Sequence, residues 1–197
     1  MKKIIICEGD NDALFYDEFF KKIHVKKRLI SVYNAKYIFK KGFKEGRYIE
    51  SKKIRNFIGS SKNIFLKAEQ GKGYVTKVYS SIVNDIPNER PILSIDLDNE
   101  KYTKYVRRLE KRIQKQTETM KLFPKIYVDN HRIITLKISI KCRNNHLTDA
   151  YLFAFKFTLE LEANINKGMD ESKKRNKIRR LLKSNDIINP LKEIINI

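Results

Sequence analysis

The chain has 197 residues and a formal net charge of +20; its length suits one domain, or one domain with an appended piece. Since 41% of the residues are hydrophobic, a globular fold is expected rather than a disordered chain. Its two cysteines, Cys7 and Cys142, are too few for a disulfide framework or a zinc site. No apolar stretch approaches the ~20 residues that cross a bilayer, so we expect a soluble, cytoplasmic protein without a membrane partner.

The first predicted elements are a buried strand and an amphipathic helix. Residues 2–7 are dominated by a continuous apolar run, which is typical of a strand covered on both faces in a parallel sheet. A helix is predicted from residue 12 to about residue 24, because Phe15, Phe19 and Ile23 recur every fourth residue. We therefore expect this helix to pack one face on the sheet.

Residues 25–60 do not continue this pattern and are interpreted as an inserted subregion. Lysine and arginine are interleaved there with tyrosine and phenylalanine. Aromatic rings among lysines are able to stack on bases while the lysines neutralise phosphates. They serve equally well as the core of the insert, and the sequence leaves both alternatives open.

The alternation of strands and helices returns after the insert. Strands are predicted at residues 63–67, 92–96, 125–128 and 133–140, and helices from about 74 to 82 and from about 101 to 116. The last of these strands alternates apolar and polar residues, so we expect it at the side of the sheet with one wet face. Strands alternating with helices indicate βαβ units. The fold class predicted for residues 1–140 is α/β, a mostly parallel, Rossmann-like sheet flanked by helices.

Residues 141–197 are expected to form a mainly helical extension. Phe153 and Phe155 belong to a strictly alternating run, which argues for a strand. However, the stretch of about twenty residues between Thr148 and Gly168 contains no turn former, and that length exceeds an ordinary strand. A helix is therefore favoured there. Two shorter helices, separated by Pro190, are expected at residues 172–183 and 190–196.

Acidic residues follow the first and third predicted strands. Glu8 and Gly9 end the first strand, with Asp12 shortly after, and Asp96 and Asp98 end the third. Ligands of open α/β sheets bind outside the carboxyl ends of the strands, so neighbouring strands would bring these carboxylates together. Their repulsion would be relieved by a divalent cation, since Mg²⁺ prefers carboxylate ligands. Gly9 would let the backbone approach a phosphate closely.

An Asp-x-Asp alone is as easily a helix or turn cap, but the combination of motifs is more specific. Residues 4–12 and 92–98 together resemble the Toprim family, the catalytic fold of topoisomerases, bacterial-type primases, OLD-family nucleases and ribosomal-RNA maturases. That family has a glutamate-glycine after the first strand and an Asp-x-Asp after the third. The glycines at 71 and 73 resemble its intermediate block. The resemblance covers about residues 1–130, and the long 25–60 stretch departs from it.

The resemblance implies a set of site residues and a cofactor. Asp96 and Asp98 would coordinate Mg²⁺ or Mn²⁺, and Glu8 would be a metal ligand or the general acid/base. These three are the candidate catalytic and metal-binding residues. Asp12 would support the loop or a second ion. Lys72, at a predicted helix start, is a candidate phosphate contact, with a solvated loop lysine as the alternative.

The charge balance points to a polyanionic partner. The chain has 43 Lys and Arg against 23 Asp and Glu, which favours binding to DNA or RNA through counterion release. A lysine-rich proteome or a thermophile's surface is the alternative explanation, and each basic run is also explained by a solvated helix face. The candidate nucleic-acid contacts are Lys40, Lys41, Lys44, Arg107, Lys111, Lys173, Lys174, Arg175, Arg179 and Arg180.

These observations lead to one expected function and two alternatives. The expectation is Mg²⁺-dependent phosphodiester chemistry on nucleic acid, in the form of a nuclease, because the chain has no room for the accessory domains of a topoisomerase or primase. The alternatives are a non-catalytic nucleic-acid-binding module with a metal site and a primase-like nucleotidyl transferase. The sequence does not distinguish a DNA from an RNA substrate.

Overall fold

A computed structural model of the protein describes residues 2–34, 54–85, 91–115, 121–141 and 147–195. Its strands are β1 (Lys3–Cys7), β2 (Ile30–Asn34), β3 (Ile64–Ala68), β4 (Ile92–Asp96), β5 (Lys121–Asp129), β6 (Ile133–Lys141) and β7 (Leu147–Phe155). Its helices are α1 (Asp10–Lys22), α2 (Lys72–Asp85), α3 (Tyr102–Gln114), α4 (Leu159–Ala163), α5 (Glu171–Leu181) and α6 (Asn185–Ile195).

The strands form one sheet in the order β2-β3-β1-β4-β7-β6-β5. The first five in this order are parallel, and β6 and β5 extend the sheet by antiparallel pairing. All five residues of β1, β3 and β4 are buried, because helices cover both faces of the parallel part. The predicted α/β class, with a mostly parallel, Rossmann-like sheet flanked by helices, is confirmed.

Two helical layers divide the core. Ile4 and Ile6 of β1 pack with α2 and α3 on one side, here called the α2–α3 face. Ile5 and Cys7 pack with α1, α5 and α6 on the other, the α1–α5–α6 face. The two-residue period of a strand sends successive side chains to opposite layers. Within the described ranges, no helix is both long and apolar enough to span a membrane.

The segment predicted as an insert contributes to the sheet where the structure describes it. Residues 27–29 form a 3-10 turn, and β2 follows as the strand at one side of the sheet. Residues 54–58 are helical, with Ile54 and Phe57 buried in the α2–α3 core. Lys40, Lys41 and Lys44 lie outside the described residues.

The helix favoured between Thr148 and Gly168 is wrong for its first half. Residues 147–155 form β7, which lies between β4 and β6. Its alternation is that of a strand buried on both faces: Phe153 and Phe155 pack on the α1–α5–α6 face, and Leu152 packs on the α2–α3 face. The sheet therefore extends past residue 140, and the helical part of the chain's last third begins only with α4.

The placement of β6 at the side of the sheet is also wrong. Since β7 pairs with β6, that position falls to β5. Pro190 likewise lies inside α6 instead of separating two helices. A proline leaves the carbonyl four residues earlier without its helical donor. Here the carbonyl of Asp186 accepts a hydrogen bond from Asn130 Nδ2 at 2.9 Å instead, so the helix continues through the proline.

Candidate active site at the carboxyl edge of the sheet

Glu8 and Asp96 meet where two neighbouring parallel strands end. Cys7 of β1 lies opposite Ser94 of β4, which places Glu8 beside the last residues of β4. The backbone N–H of Asp96 donates a hydrogen bond to Glu8 Oε2 at 3.3 Å. The expectation that these two acids share the carboxyl edge of the sheet is confirmed, whereas their chemical roles stay predictions.

Asp98 sits in the turn after β4, where its backbone is held in an unusual conformation. Asp98 and Asn99 both have positive φ, at 50° and 63°, a region that aspartate and asparagine tolerate better than most residues. The turn is fixed because the N–H of Asp98 donates to the carbonyl of Phe157 at 3.1 Å. The Asp98 carboxylate is paired with Lys72 Nζ at 2.5 Å. Lys72, from the start of α2, is thus part of the site.

Asp12 is the most deeply buried acid of the group. It lies in the first turn of α1, is 5% exposed, and its Oδ1 has no hydrogen-bond partner. Burial, followed by the charges of Asp96 and Glu8, raises its pKa well above the ordinary value. A buried carboxylate without partners is costly, so this position favours either a proton or a cation.

Gly9 precedes α1 in extended backbone, with φ −163°, a conformation that any residue adopts. A Cβ at this position would meet Asp12 Oδ2 at 3.8 Å, which is ordinary van der Waals contact. The fold therefore does not demand glycine here. Close approach of a phosphate to Gly9 stays a prediction.

Glu160 is a further acid of the site, one that the sequence interpretation missed. It lies in α4 after β7, and its Oε1 accepts a hydrogen bond from Asn11 Nδ2 at 2.6 Å. Lys174 Nζ donates to Asn11 Oδ1 at 3.1 Å, so Asn11 contacts both Glu160 and Lys174. The sequence feature that could have revealed Glu160 is the alternation of residues 153–157. If this alternating run is interpreted as a strand parallel to β1 and β4, its end and Glu160 lie at the same edge of the sheet as Glu8 and Asp96.

Five carboxylates thus gather at this edge, and we call them the acid cluster: Glu8, Asp12, Asp96, Asp98 and Glu160. Burial, then the charge of Glu160, raises the pKa of Asp96 to about 7, although the N–H of Leu159 donates to its Oδ1 at 3.0 Å. Burial also raises the pKa of Glu8. The negative charge of the cluster is therefore incompletely compensated by the protein.

The donor chemistry of the acid cluster fits Mg²⁺ or Mn²⁺, since its ligands would all be oxygens and one Asp12 oxygen is buried without a partner. Across the described ranges, however, no three Asp, Glu, His or Cys side chains stand in an arrangement ready to hold a metal ion. The Asp98 carboxylate instead forms an ion pair with Lys72. An ion shared by these acids would therefore take over the carboxylate that Lys72 now neutralises.

Apart from Lys174, which contacts Asn11, the candidate nucleic-acid contacts that the structure describes fall into two groups. Arg107, Lys111, Lys173 and Arg180 are exposed on α3 and α5, as expected of solvent-facing cations. Arg175 and Arg179, by contrast, are engaged in ion pairs with α1. Arg175 Nη1 donates to Glu18 Oε1 at 2.7 Å and Arg179 Nε to Glu18 Oε2 at 2.5 Å. These two arginines join α5 to α1.

Glu18 holds this junction together. Its side chain is 2% exposed. Burial alone would raise the pKa of Glu18, but the hydrogen bonds from Arg179 and Arg175 outweigh burial and lower the pKa to about 2. The pair therefore stabilises the fold above the ordinary pKa of 4.5 and loses its contribution as the pH falls towards 2.

Glu18→Gln is expected to lower the free energy of unfolding at pH 7 by about 2–3 kcal/mol. Breaking a fully buried ion pair costs about 3–5 kcal/mol, and this expectation is smaller because Arg179 is 56% exposed. Urea denaturation at several pH values measures the effect, and the difference from the parent should shrink below pH 4.5. Glu171→Gln removes an exposed partner of Arg175 and is the control. Equal losses in the two variants would contradict the assignment.

Comparisons with known proteins add little to this geometry. No family model matches the chain, and no curated protein matches it. Among solved structures, a de novo designed protein of P-loop NTPase fold, determined by solution NMR, is similar with a TM-score of 0.36 and 10% identity, over 93% of this chain and 91% of that chain. Similarity at this level carries no argument about function, which must be inferred from the site itself.

Proposed function

We propose that this protein is a divalent-cation-dependent nuclease with the acid cluster as its active site, as the Toprim-like motifs led us to expect. The observation that carries the proposal is the meeting of Glu8 and Asp96 on adjacent strands, with Asp12 and Glu160 beside them. Two buried carboxylates, Asp12 and Asp96, beside the half-buried Glu8 and Glu160 are costly for the fold. Their presence in a chain of net charge +20 is accounted for if they hold cations against a phosphate.

The residues of the cluster have separable tasks in this proposal. Mg²⁺ or Mn²⁺, when bound, would lower the pKa of a water and neutralise charge on the phosphate. Glu8 holds or moves a proton, and burial raises its pKa above the ordinary value, a shift in the direction that suits a general acid or base. Asp96 is kept in place by the N–H of Leu159. Lys72 and Lys174 flank the carboxylates and contact phosphate oxygens.

Nucleic acid as the substrate and the cytoplasm as the location belong to the same proposal. The charge of +20 favours a polyanion because each neutralised phosphate releases counterions. The exposed cations Arg107, Lys111, Lys173 and Arg180 would supply long-range attraction of this kind. Arg175 and Arg179 are paired with Glu18 instead, so their charges contribute less to this attraction.

The test is turnover of end-labelled RNA and DNA, single- and double-stranded, with Mg²⁺, Mn²⁺ or EDTA. We expect cleavage that requires a divalent cation and is lost in Asp96→Asn. Asp186→Asn, which removes an exposed carboxylate in the first turn of α6, is the matched control and should cleave as the parent does. Incorporation of nucleotides on a template would identify a primase-like transferase instead. Binding without any turnover would identify a non-catalytic module.

A further inference from the structure

β5, the last strand of the sheet and the neighbour of β6, exposes aromatic rings to solvent. In β5, Leu122 is the one buried residue, while Phe123 is 51% and Tyr127 52% exposed. Lys125 lies opposite Lys137, which lies opposite Tyr151 of β7, and Tyr151 packs on the α1–α5–α6 face. The charge of Glu193 in α6, with which the Tyr127 hydroxyl shares a hydrogen bond, raises the pKa of Tyr127, so Tyr127 projects on the same face.

Lysines stand between and opposite these rings. The strand period places Lys121, Phe123 and Lys125 on one face, and the pairing of β5 with β6 sets Lys121 opposite Lys141 and Lys125 opposite Lys137. Like charges directly opposite one another destabilise a sheet. Lys137 is paired with Asp149 at 2.9 Å, whereas Lys121, Lys125 and Lys141 are exposed. The repulsion between these lysines destabilises the sheet in the isolated chain, and an anionic ligand would remove this repulsion.

We propose that this basic–aromatic face, consisting of Lys121, Phe123, Lys125, Tyr127, Lys137 and Lys141, binds single-stranded nucleic acid. Exposed aromatic rings beside lysines suit a ligand with flat bases and a negatively charged backbone. In a duplex the faces of the bases are covered by base stacking. An aromatic side chain on the surface of β5 therefore stacks on bases only when the nucleic acid is single-stranded. The bases stack on Phe123 and Tyr127, and the phosphates lie beside the lysines.

The basic–aromatic face leads towards the acid cluster. β6 is antiparallel to both β5 and β7, so β5 ends, near Tyr127, at the same edge of the sheet as β4 and β7. Three strand spacings separate β5 from β4, or about 14 Å at ~4.8 Å each. A single strand lying on the face therefore reaches Asp96 within a few nucleotides. In this respect the inference deepens the proposed function by naming the form of its substrate.

A second copy of the chain is the other conceivable occupant of an exposed strand. Pro124 removes one backbone donor from β5, and Lys121 and Lys125 add charge to it. These are features by which natural proteins prevent pairing between such strands. Two copies would also bring their lysines together. Charge complementarity therefore favours a polyanion.

The test measures binding of fluorescein-labelled oligo(dT) and oligo(rU) and of a duplex by anisotropy, in EDTA so that no cleavage occurs. Phe123→Ala with Tyr127→Ala should weaken single-strand binding about 20-fold or more, since each stacked base contributes at least about fivefold. Phe123→Leu with Tyr127→Leu keeps apolar surface but removes the rings, and should weaken binding similarly. Lys121→Gln with Lys125→Gln should flatten the dependence of log K on log salt by about 0.7 for each lost phosphate contact.

The control is Val32→Ala, which truncates an exposed apolar side chain of β2 at the opposite side of the sheet and should bind as the parent does. Parent-like binding by the two aromatic double variants, or no single-strand binding by the parent, would overturn the inference. So would a parent dimer that these substitutions dissociate. Cleavage of the same oligonucleotides with Mg²⁺ separates the two proposals. If the parent cleaves and the aromatic variants bind as the parent does, only the proposal for the basic–aromatic face is wrong. If binding depends on the rings but the parent does not cleave, only the nuclease proposal is wrong.

Discussion

Glu8→Gln is expected to slow cleavage by about 10²–10⁴-fold, the usual contribution of a general acid or base. The amide oxygen of glutamine still accepts the hydrogen bond from the N–H of Asp96 that Glu8 Oε2 accepts now, so the fold should be unaffected. What disappears is a group whose pKa burial raises from 4.5. Single-turnover rates across pH measure the effect, and the ionisation of Glu8 should be missing from the profile of the variant.

Binding provides the internal control for this prediction. Glu8→Gln removes a negative charge that faces the phosphates, so affinity in EDTA should stay equal or increase. Asp96→Asn should also lose activity but recover part of it at high Mn²⁺, because the loss there concerns metal binding. A Glu8→Gln variant that cleaves at the parent rate would remove Glu8 from the chemistry. If Glu8→Gln unfolds, the active-site proposal is tested by the activity of Asp96→Asn and by the requirement for a divalent cation.

Asp96→Asn is expected to raise the free energy of unfolding by roughly 2–4 kcal/mol at pH 8 without divalent cations. The pKa of Asp96 rises from 3.8 to about 7 in the folded state, and each pH unit corresponds to about 1.36 kcal/mol. The folded state therefore binds the proton more tightly, so the parent loses stability as pH rises from about 4 to about 7. Asparagine carries no charge and keeps the acceptor for the N–H of Leu159.

Thermal unfolding from pH 5 to pH 8 measures this effect, and the Tm of the variant at pH 8 should exceed that of the parent by about 5–10 °C. Mg²⁺ should stabilise the parent at pH 8 more than it stabilises the variant. Asp186→Asn, outside the acid cluster, should follow the parent at every pH. A variant less stable than the parent at both ends of the range would mean that Asp96 is a structural residue.

The strands that the sequence predicted correctly are short apolar runs with clear boundaries. The apolar runs of β1 and β4 are too short for helices and are bounded by turn residues, so their assignment as buried strands was straightforward. Because these acids follow the two strands closely, four of the five members of the acid cluster could be placed from sequence as well, and only Glu160 was missed. The contact between Glu8 and Asp96 follows from the strands being neighbours.

β7 shows where such prediction ends. Its side chains alternate, but they are apolar on both faces because two different helical layers cover them, and no turn former separates the strand from α4. A local pattern does not reveal which strands flank a segment. Once β7 was assigned to a helix, Glu160 and the site's link to Lys174 were lost with it. The ion pairs of Arg175 and Arg179 were missed similarly, since their partners lie some 160 residues away.

The position of β7 also affects the order in which the protein is able to fold during synthesis. β4 is completed about 50 residues before β7 begins to pair with it, which at about 5–20 residues per second takes several seconds. During that interval the nascent chain has a strand, mostly apolar and buried in the folded protein, with one open side, the kind of edge that pairs with other chains. A polypeptide ending at residue 140 would keep this open side permanently, since both β4 and β6 would lack the strand between them. The ribosome must therefore release most of the chain before the centre of the sheet closes.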